Sequence, residues 1–418
     1  MSSIAATLPG AADTQGLRRS LALADRRRKL RAFALTLPLL LFLLATFLVP
    51  IAALLKRAIE NPEVAQALPR TVVALERWNR EDTPPDDAFA AVVADLGALP
   101  DSADAGALAR RLNSEVAGAR SLVMGAYRAL PLDGTGTPSG AKAALTALDE
   151  RWTELKYWQA IAKNGSRWTP DHLLASVDLR RDAKGNIERM PADQRVFGRI
   201  LLRTFEISAI VTLWCLLLGY PLAYWLSTLP ARQANVLMIL VLVPFWTSIL
   251  VRVAAWIVLL QSGGLVNGAL SAAGLIDSPL ELLFNRTGVT IAMVHILLPF
   301  MILPLYSVMK SVPPTYLRAA VSLGSPPLAA FFRVYVPQTY PGIGAGALLV
   351  FILSIGYYVT PALLGSADDQ MLSYYVAQYT NVNVNWGMAS ALGALLLAAT
   401  LVLYAVYRRV VKSELSLG

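Results

Sequence analysis

The residues of this chain that are equipped for covalent chemistry are few, and their spacing argues against it. His172 and His295 are the only histidines and Cys215 the only cysteine, so no cluster has metal-ligand spacing. A G-x-x-x-x-G-K-[ST] phosphate loop is absent, which removes the usual route to ATP hydrolysis, and no G-x-S-x-G elbow presents a serine nucleophile. The chain is therefore expected to be non-catalytic, with no metal or cofactor of its own. Its polar chemistry lies instead inside long apolar runs, where an ionisable group is costly and usually functional. Arg203 and Glu206, three apart, can share a helix face and pair, either among headgroup water or beside a solute path. Arg252 follows Pro244-Phe245-Trp246-Thr247-Ser248 and either faces the interior of a bundle or snorkels to headgroups. His295, just before Pro299, suits a pore or an interhelical hydrogen bond equally.

Those runs dominate the chain. Of 418 residues, 56% are hydrophobic and 16% charged, and mean hydropathy is +0.51. Several runs are long enough to cross a bilayer, so the fold expected is an all-α polytopic membrane protein. The net charge of +9 does not point to nucleic acid, because many of the basic residues flank apolar runs and set topology. Cys215, inside such a run, is expected to be a small buried hydrophobe.

Six spans are expected: Ala32–Leu55, Ile200–Leu226, Val236–Leu260, Val289–Met309, Gly342–Leu364 and Gly387–Tyr407. The first follows Asp25-Arg26-Arg27-Arg28-Lys29-Leu30-Arg31 and is too long for a signal peptide; Val64-Ala65-Gln66-Ala67 lies too far beyond it to be a cleavage site. An even number of crossings leaves both termini inside. Arg232, Lys310, Arg318, Arg333, Arg408, Arg409 and Lys412 then fall on the inner side. The organisation expected is a cytoplasmic tail at 1–31, a first span at 32–55, an extracytoplasmic helical insert at 56–198, a five-span core at 199–410 containing an inner loop at 310–340, and a short cytoplasmic tail at 411–418. Between the third and fourth spans, Gly263–Leu283 is too glycine-broken to cross and reads as re-entrant or interfacial.

Within 56–198 acidic and basic residues nearly balance, and apolar residues recur at helical spacing over Asp86–Leu99, Ala105–Leu130, Ala141–Ala162 and His172–Leu179. Thr83-Pro84-Pro85, Leu99-Pro100-Asp101-Ser102, Asp133–Pro138 and Lys184-Gly185-Asn186 read as turns, with Ser139 and Thr169 as candidate caps.

Three spans carry kink signals: Gly219-Tyr220-Pro221, Pro299 with Pro304, and Gly356-Tyr357-Tyr358-Val359-Thr360-Pro361. A kink frees backbone carbonyls, which is tolerable beside a partner helix or a wet cavity. Depth and polarity make Glu206, Trp246, Thr247, Arg252, His295, Tyr357, Tyr358 and Thr360 the candidate lining of a solute path.

The most informative stretch is polar. Leu317–Pro337, between two apolar runs, reads as a short helix, a glycine turn and a second short helix, a shape suited to docking another protein. Arg318-Ala319-Ala320, Gly324, Val334, Val336 and Pro337 keep the spacing of E-A-A-x3-G-x9-I-x-L-P. The stretch thereby resembles the coupling loop of binding-protein-dependent ABC importer permeases. Leu218–Tyr224, Val243–Trp256, Leu297–Tyr306, Gly356–Gly365 and Asn385-Trp386-Gly387 are similar to the spermidine/putrescine-type branch of that family.

The resemblance implies a type I importer permease fold, in an inner membrane. It also implies a path for a polyamine or related amino compound, or for a phosphonate, opine or amino-acid-like solute. The partners implied are a second permease or a second copy of this chain, two ATPase subunits that use ATP and Mg, and a periplasmic solute-binding protein. Arg318 replaces the family's glutamate and reverses the charge offered to the ATPase. A membrane receptor with a sensing insert is the alternative reading, and it lacks a cytoplasmic output domain.

Overall fold

The computed structural model describes residues 11–182 and 185–415; Lys184 and the end of the C-terminal tail lie outside them. By contacts the chain divides into two units, one ending at Lys56 and the other beginning at Arg57. The first holds α1 (Ala11–Leu43), a π-helical turn over Leu44–Leu48 and the start of α2 (Val49–Arg57), which together give a candidate span over Leu23–Arg57.

The second unit opens with a helical bundle: α3 (Pro62–Ala67), α4 (Pro69–Leu75), α5 (Asp86–Gly97), α6 (Ser102–Glu115), α7 (Ala119–Ala129), α8 (Pro138–Leu148) and α9 (Leu155–Lys163). Two expected helices are each divided. Gly118, at φ 90, turns the chain between α6 and α7, and Asp149 starts a 3-10 turn between α8 and α9. Thr137 Oγ1, rather than Ser139, accepts the α8 cap bond from Gly140 N at 3.2 Å. The core is apolar and aromatic, with Phe89, Trp152 and Trp158 fully buried and the Trp158 ring meeting the other two at tilted angles. The excursion closes on itself, because Asn61 N donates to Arg167 O and Thr169 N to Ile59 O, both at 2.8 Å.

Next come α10 (Asp171–Ser176) and a hairpin of β1 (Leu179–Arg181) and β2 (Ile187–Arg189), a feature the helical periodicity did not announce. The hairpin returns the chain to α11 (Phe197–Thr228), the longest helix of this unit. Asp178 caps it from the insert side. One carboxylate oxygen accepts Val196 N and Phe197 N, both at 3.0 Å, and the other accepts Gly198 N at 2.8 Å. Three backbone donors that a helix start leaves orphaned are thus satisfied.

Helix α12 (Ala231–Leu242) and α13 (Ile249–Leu260) occupy the expected third span, which is not one helix. Pro244 removes a backbone donor, a 3-10 turn runs over Val243–Trp246, and Thr247 and Ser248 are extended. The third long apolar stretch of the structure is Ile249–Ala272, which includes α14 (Leu265–Ala272). Buried Asn267 ties α14 down by donating to Gln261 O and Leu280 O and accepting Leu280 N. Helix α15 (Arg286–Ser311) is capped by Asn285, and both it and α11 run on through their prolines.

A hook of α16 (Thr315–Ser322), α17 (Pro327–Ala330) and α18 (Val336–Gln338) leads into α19 (Tyr340–Gly356) at a 63° bend. Pro341, lacking an N–H, explains the break at Thr339. The expected Gly342–Leu364 span stops at Gly356, and Val359–Leu364 is a separate helix, α20. Helices α21 (Leu372–Asn381) and α22 (Trp386–Leu415) complete the unit. Among the described residues, five helices are long and apolar enough to cross a membrane, or six if the bent pair is one span.

Core helices α11, α15 and α19 pack at glycine contacts. A Cβ at Gly219 would stand 3.1 Å from Met301, one at Gly346 2.8 Å from the same side chain, and one at Gly342 3.0 Å from Val308. Close backbone approach at small residues is how helices associate where water drives nothing.

The insert joins this bundle at α10. His172 is buried, and a Cβ on Gly387, in the first turn of α22, would collide with its Nε2. Burial, with Arg111 adding to it, pushes the His172 pKa down to about 4, against the opposing pull of Asp171 and Glu115. An unfolded chain with histidine near 6.5 binds more protons between those values, so stability is full above about 6.5 and declines as pH falls toward 4. Asp171 and Glu115 lose their share at lower pH. Burial would raise both, but the hydrogen bond from Arg181 and the charge of Lys163 hold Asp171 down, and Arg111 with Lys163 hold Glu115 down. Thermal unfolding of the purified chain in detergent is expected to show a loss on the order of 2 kcal/mol between pH 7 and pH 5. In His172→Gln most of that difference should disappear; an equal pH dependence in the variant would contradict the assignment.

Candidate coupling loop and solute path

The hook owes its shape to backbone hydrogen bonding. At the end of α16, Gly324 N donates to Val321 O at 3.0 Å and Ser325 N to Ala320 O at 3.1 Å. That is a Schellman closure, which needs a left-handed residue where Gly324 stands, and its φ is 91. Val321, Leu323, Leu328 and Phe332 are exposed, and so are Arg318 and Ala319. On the opposite side the hook is anchored. Ala330 and Tyr335 are buried, and Phe331 stacks on Tyr335 at 5.5 Å. Tyr224 of α11 meets both rings edge-on, at 5.1 and 5.2 Å. Tyr220 reaches Thr339 Oγ1 at 3.0 Å, so the Gly219-Tyr220-Pro221 step holds the base of the hook directly. Lys310, at the end of α15, donates to Ser227 O and Leu229 O, carbonyls that the end of α11 leaves open. Asp178 and Lys310 therefore place the insert and the hook at opposite ends of α11, about 48 Å apart at 1.5 Å per residue.

Of the sequence-predicted hook residues, Arg318, Ala319, Ala320 and Gly324 lie on α16 and its closure, whereas Val334, Val336 and Pro337 lie in the half-buried return to α19.

The path candidates divide. Helix α13, which carries Arg252, packs against α15, which carries His295, and against α20, which Tyr357 and Tyr358 precede. Arg252 stands 6.0 Å from the Phe245 ring, and its buried Nε has no protein partner among the described residues. Trp256, not singled out by sequence, donates to His295 Nδ1 at 3.1 Å; its place one turn beyond Arg252 on a helix was the available signal. Thr360 is fully buried on α20 with its hydroxyl unpartnered among the described residues. Tyr358 is exposed, as are Trp246 and Thr247 at the α12–α13 break, where the Thr247 hydroxyl donates to Pro244 O at 2.8 Å.

Glu206 stands apart. The expected Arg203–Glu206 pair does not form. Arg286, at the start of α15, donates to Glu206 Oε1 at 2.8 Å and reaches Asp369 at 3.4 Å, while Arg203 donates to the backbone oxygen of Asp368. Spacing places Arg203 and Glu206 near one another, but a partner across the helix interface satisfies each charge better. Arg286 and Asp369 are the charged partners that sequence reasoning left out. Beneath Arg286, a groove of about 640 Å³ between α11, α13 and α15 is walled by Trp214, Trp256 and His295.

The family model for the binding-protein-dependent transport system inner membrane component matches residues 216–414. The chain belongs to this family, and is a multi-pass inner-membrane transport subunit rather than an enzyme. It is 36% identical to the spermidine/putrescine transport system permease protein PotB of Escherichia coli strain K12, over 47% of this chain and 71% of that protein. The same-named Haemophilus influenzae protein is 35% identical, over 51% of this chain and 75% of its own length. A bacterial alginate ABC transporter in complex with alginate pentasaccharide-bound periplasmic protein matches at TM-score 0.42 and 18% identity, covering 51% of this chain and 77% of that one.

The bond between Tyr220 and Thr339 makes a prediction. Tyr220→Phe is expected to lower stability by about 1 kcal/mol, as the loss of one hydrogen bond does, and Thr339→Val by more, because the Thr339 hydroxyl also donates to Val336 O at 2.7 Å. The double variant should lose no more than Thr339→Val alone, measured by thermal unfolding of the purified chain; additive losses would show that the two groups are not bonded.

Proposed function

We propose that this chain forms half of the translocation path of an ATP-driven importer. Its hook faces the cytoplasm and seats on an ATPase, its insert is extracytoplasmic, and both termini are inside. A second permease, or a second copy of this chain, completes the path. Two ATPase subunits hydrolyse Mg-ATP, and a periplasmic binding protein delivers solute. The observation that carries this reading is the hook: motif spacing, the Schellman closure at Gly324 and an exposed apolar face coincide on one element braced against α11. Closure of the ATPases would move the hook, and the aromatic contacts of Phe331 and Tyr335 with Tyr224 would pass that displacement into α11.

The solute proposed is a polyamine or related amino compound, on the strength of the similarity to spermidine/putrescine permeases. Aromatic faces such as Trp256, Tyr357 and Tyr358 suit alkylammonium groups. Arg252, whose buried Nε has no partner among the described residues, favours a second reading in which the solute also carries an anionic group, as phosphonates, opines and amino-acid-like compounds do.

Uptake of labelled putrescine in cells carrying the transporter is expected to require the ATPase. Inactivation of that ATPase should abolish uptake, and the purified chain should retain the ATPase through detergent extraction. Uptake that persists without any ATPase would overturn the assignment.

Two variants test the hook. Gly324→Val forces a β-branched residue to φ 91, at about 1–2 kcal/mol. Solute-stimulated ATP hydrolysis is expected to fall at least fivefold with membrane insertion unchanged. The Arg318→Glu variant is expected to weaken ATPase retention, because a groove adapted to a cation would meet an anion. Unaltered retention and transport in Arg318→Glu would make that position a bystander.

A further inference from the structure

At the insert end, a cleft of about 800 Å³ opens between α6, α7 and the loop from α21 into α22. Its walls carry Arg57, Arg110, Arg111 and Arg120, but no lysine, against Glu60 and Glu63. Arg111 is committed to structure, donating to Asn61 at 2.7 Å, to Asn164 at 2.5 Å, to Ser114 at 2.8 Å and to Glu115 at 3.1 Å. Glu60 is met by Arg57 at 3.9 Å and by Arg167 at 3.6 Å. Arg110 and Arg120 are exposed, and among the described residues neither guanidinium has a hydrogen bond or ion pair.

The facing lip is apolar. Val382, Val384 and Trp386 are 72%, 50% and 52% exposed. Val384 sits at φ 51, in the left-handed region, where a β-branched residue is a true outlier. Neighbouring bonds hold it there, with Asn383 N donating to Gln378 O at 3.0 Å and Asn385 N to Tyr379 O at 2.8 Å. Strain of this kind is retained at clamps and contact sites. Unpaired arginines around exposed Trp and Val, with lysine absent, have the composition of a protein interface rather than of ordinary surface. The floor of the cleft includes His172 and Gly387, so whatever seats here bears on the first turn of α22.

We propose that this cleft is the seat of the solute-binding protein, whose docking face presents carboxylates to Arg110 and Arg120 around an apolar contact with Val382, Val384 and Trp386. Arg110 and Arg120 offer the charge that a carboxylate-bearing face would meet, and the matching family model is of a binding-protein-dependent transport component. The inference rests on the proposed outward orientation of the insert.

The test uses the assembled transporter in nanodiscs, and as probe a purified solute-binding protein that stimulates ATP hydrolysis by the wild-type assembly. In the double variant Arg110→Glu/Arg120→Glu, the probe concentration for half-maximal stimulation should rise at least tenfold. Its dependence on salt should flatten, and hydrolysis without the probe should be unchanged. The double variant Arg110→Lys/Arg120→Lys, which keeps the charge, should stay within about threefold of wild type. An unchanged half-maximal concentration in the glutamate variant overturns the cleft as the docking seat while leaving the importer reading intact. The proposal also fails if the effect of the reversal vanishes when phosphatidylglycerol is omitted from the nanodiscs, because the occupant is then an anionic lipid. If no solute-binding protein of the source cell stimulates the wild-type assembly, the function proposed above falls, and this surface with it.

Discussion

The backbone of a helix has no water to turn to inside a bilayer, and its open ends must be closed by something else. In this chain that constraint is met at both ends of α11. The Asp178 carboxylate takes the first free N–H groups, and the Lys310 ammonium takes carbonyls at the last turn. Each cap comes from a different part of the chain. Closing the ends of one helix thereby ties the insert to the start of the core and the α15–hook junction to its finish. Gly219, Gly342 and Gly346 then let α15 and α19 come close enough to make the three helices one body. The two tied ends are the places where an importer needs outside contacts.

What was legible in the sequence follows from which interactions are local. The hook could be read because a Schellman closure is a relation between residues five apart, and only a left-handed residue satisfies it. Gly324 therefore carries its own structural reason. The insert helices were legible through their apolar periodicity, and where two of them were merged the missed break was a local one, at Gly118 or Asp149. The third span misled because apolar content alone does not show continuity; Pro244 and the extended Thr247 and Ser248 divide a run that reads as unbroken.

Charge pairing was the least legible layer. Arg203 and Glu206 are neighbours on one helix, yet their partners, Asp368 and Arg286, are distant in sequence and reached only once the helices have packed. The same holds for His172. Nothing near it in the chain announces that it will stand against Gly387, and its burial, with the low pKa that follows, is a product of tertiary contact. Arg252, His295 and Tyr357 were each selected for polarity in an apolar setting, and what brings their helices together is the packing of α13 on α15 and α20.

These placements bear on how a cationic solute would be handled. Glu206 is the only acid well inside the sequence-predicted spans, and here its charge is met by Arg286, which also reaches Asp369. An ion pair exposed to solvent on both sides contributes little to stability, so it can exchange partners at small cost. The deeper cluster around Arg252 offers cation and aromatic faces rather than carboxylate. A solute passing from the one to the other would leave a region where anions are available for one where π faces must replace them. For a polyamine, whose charges are spread along an apolar chain, that order is workable: the ammonium groups exchange a carboxylate for an aromatic face while the methylenes stay against the apolar walls. For a solute with a carboxylate or phosphonate, the deeper arginine becomes the binding group. On the proposed path, that geometry would hold the two substrate classes at different ends.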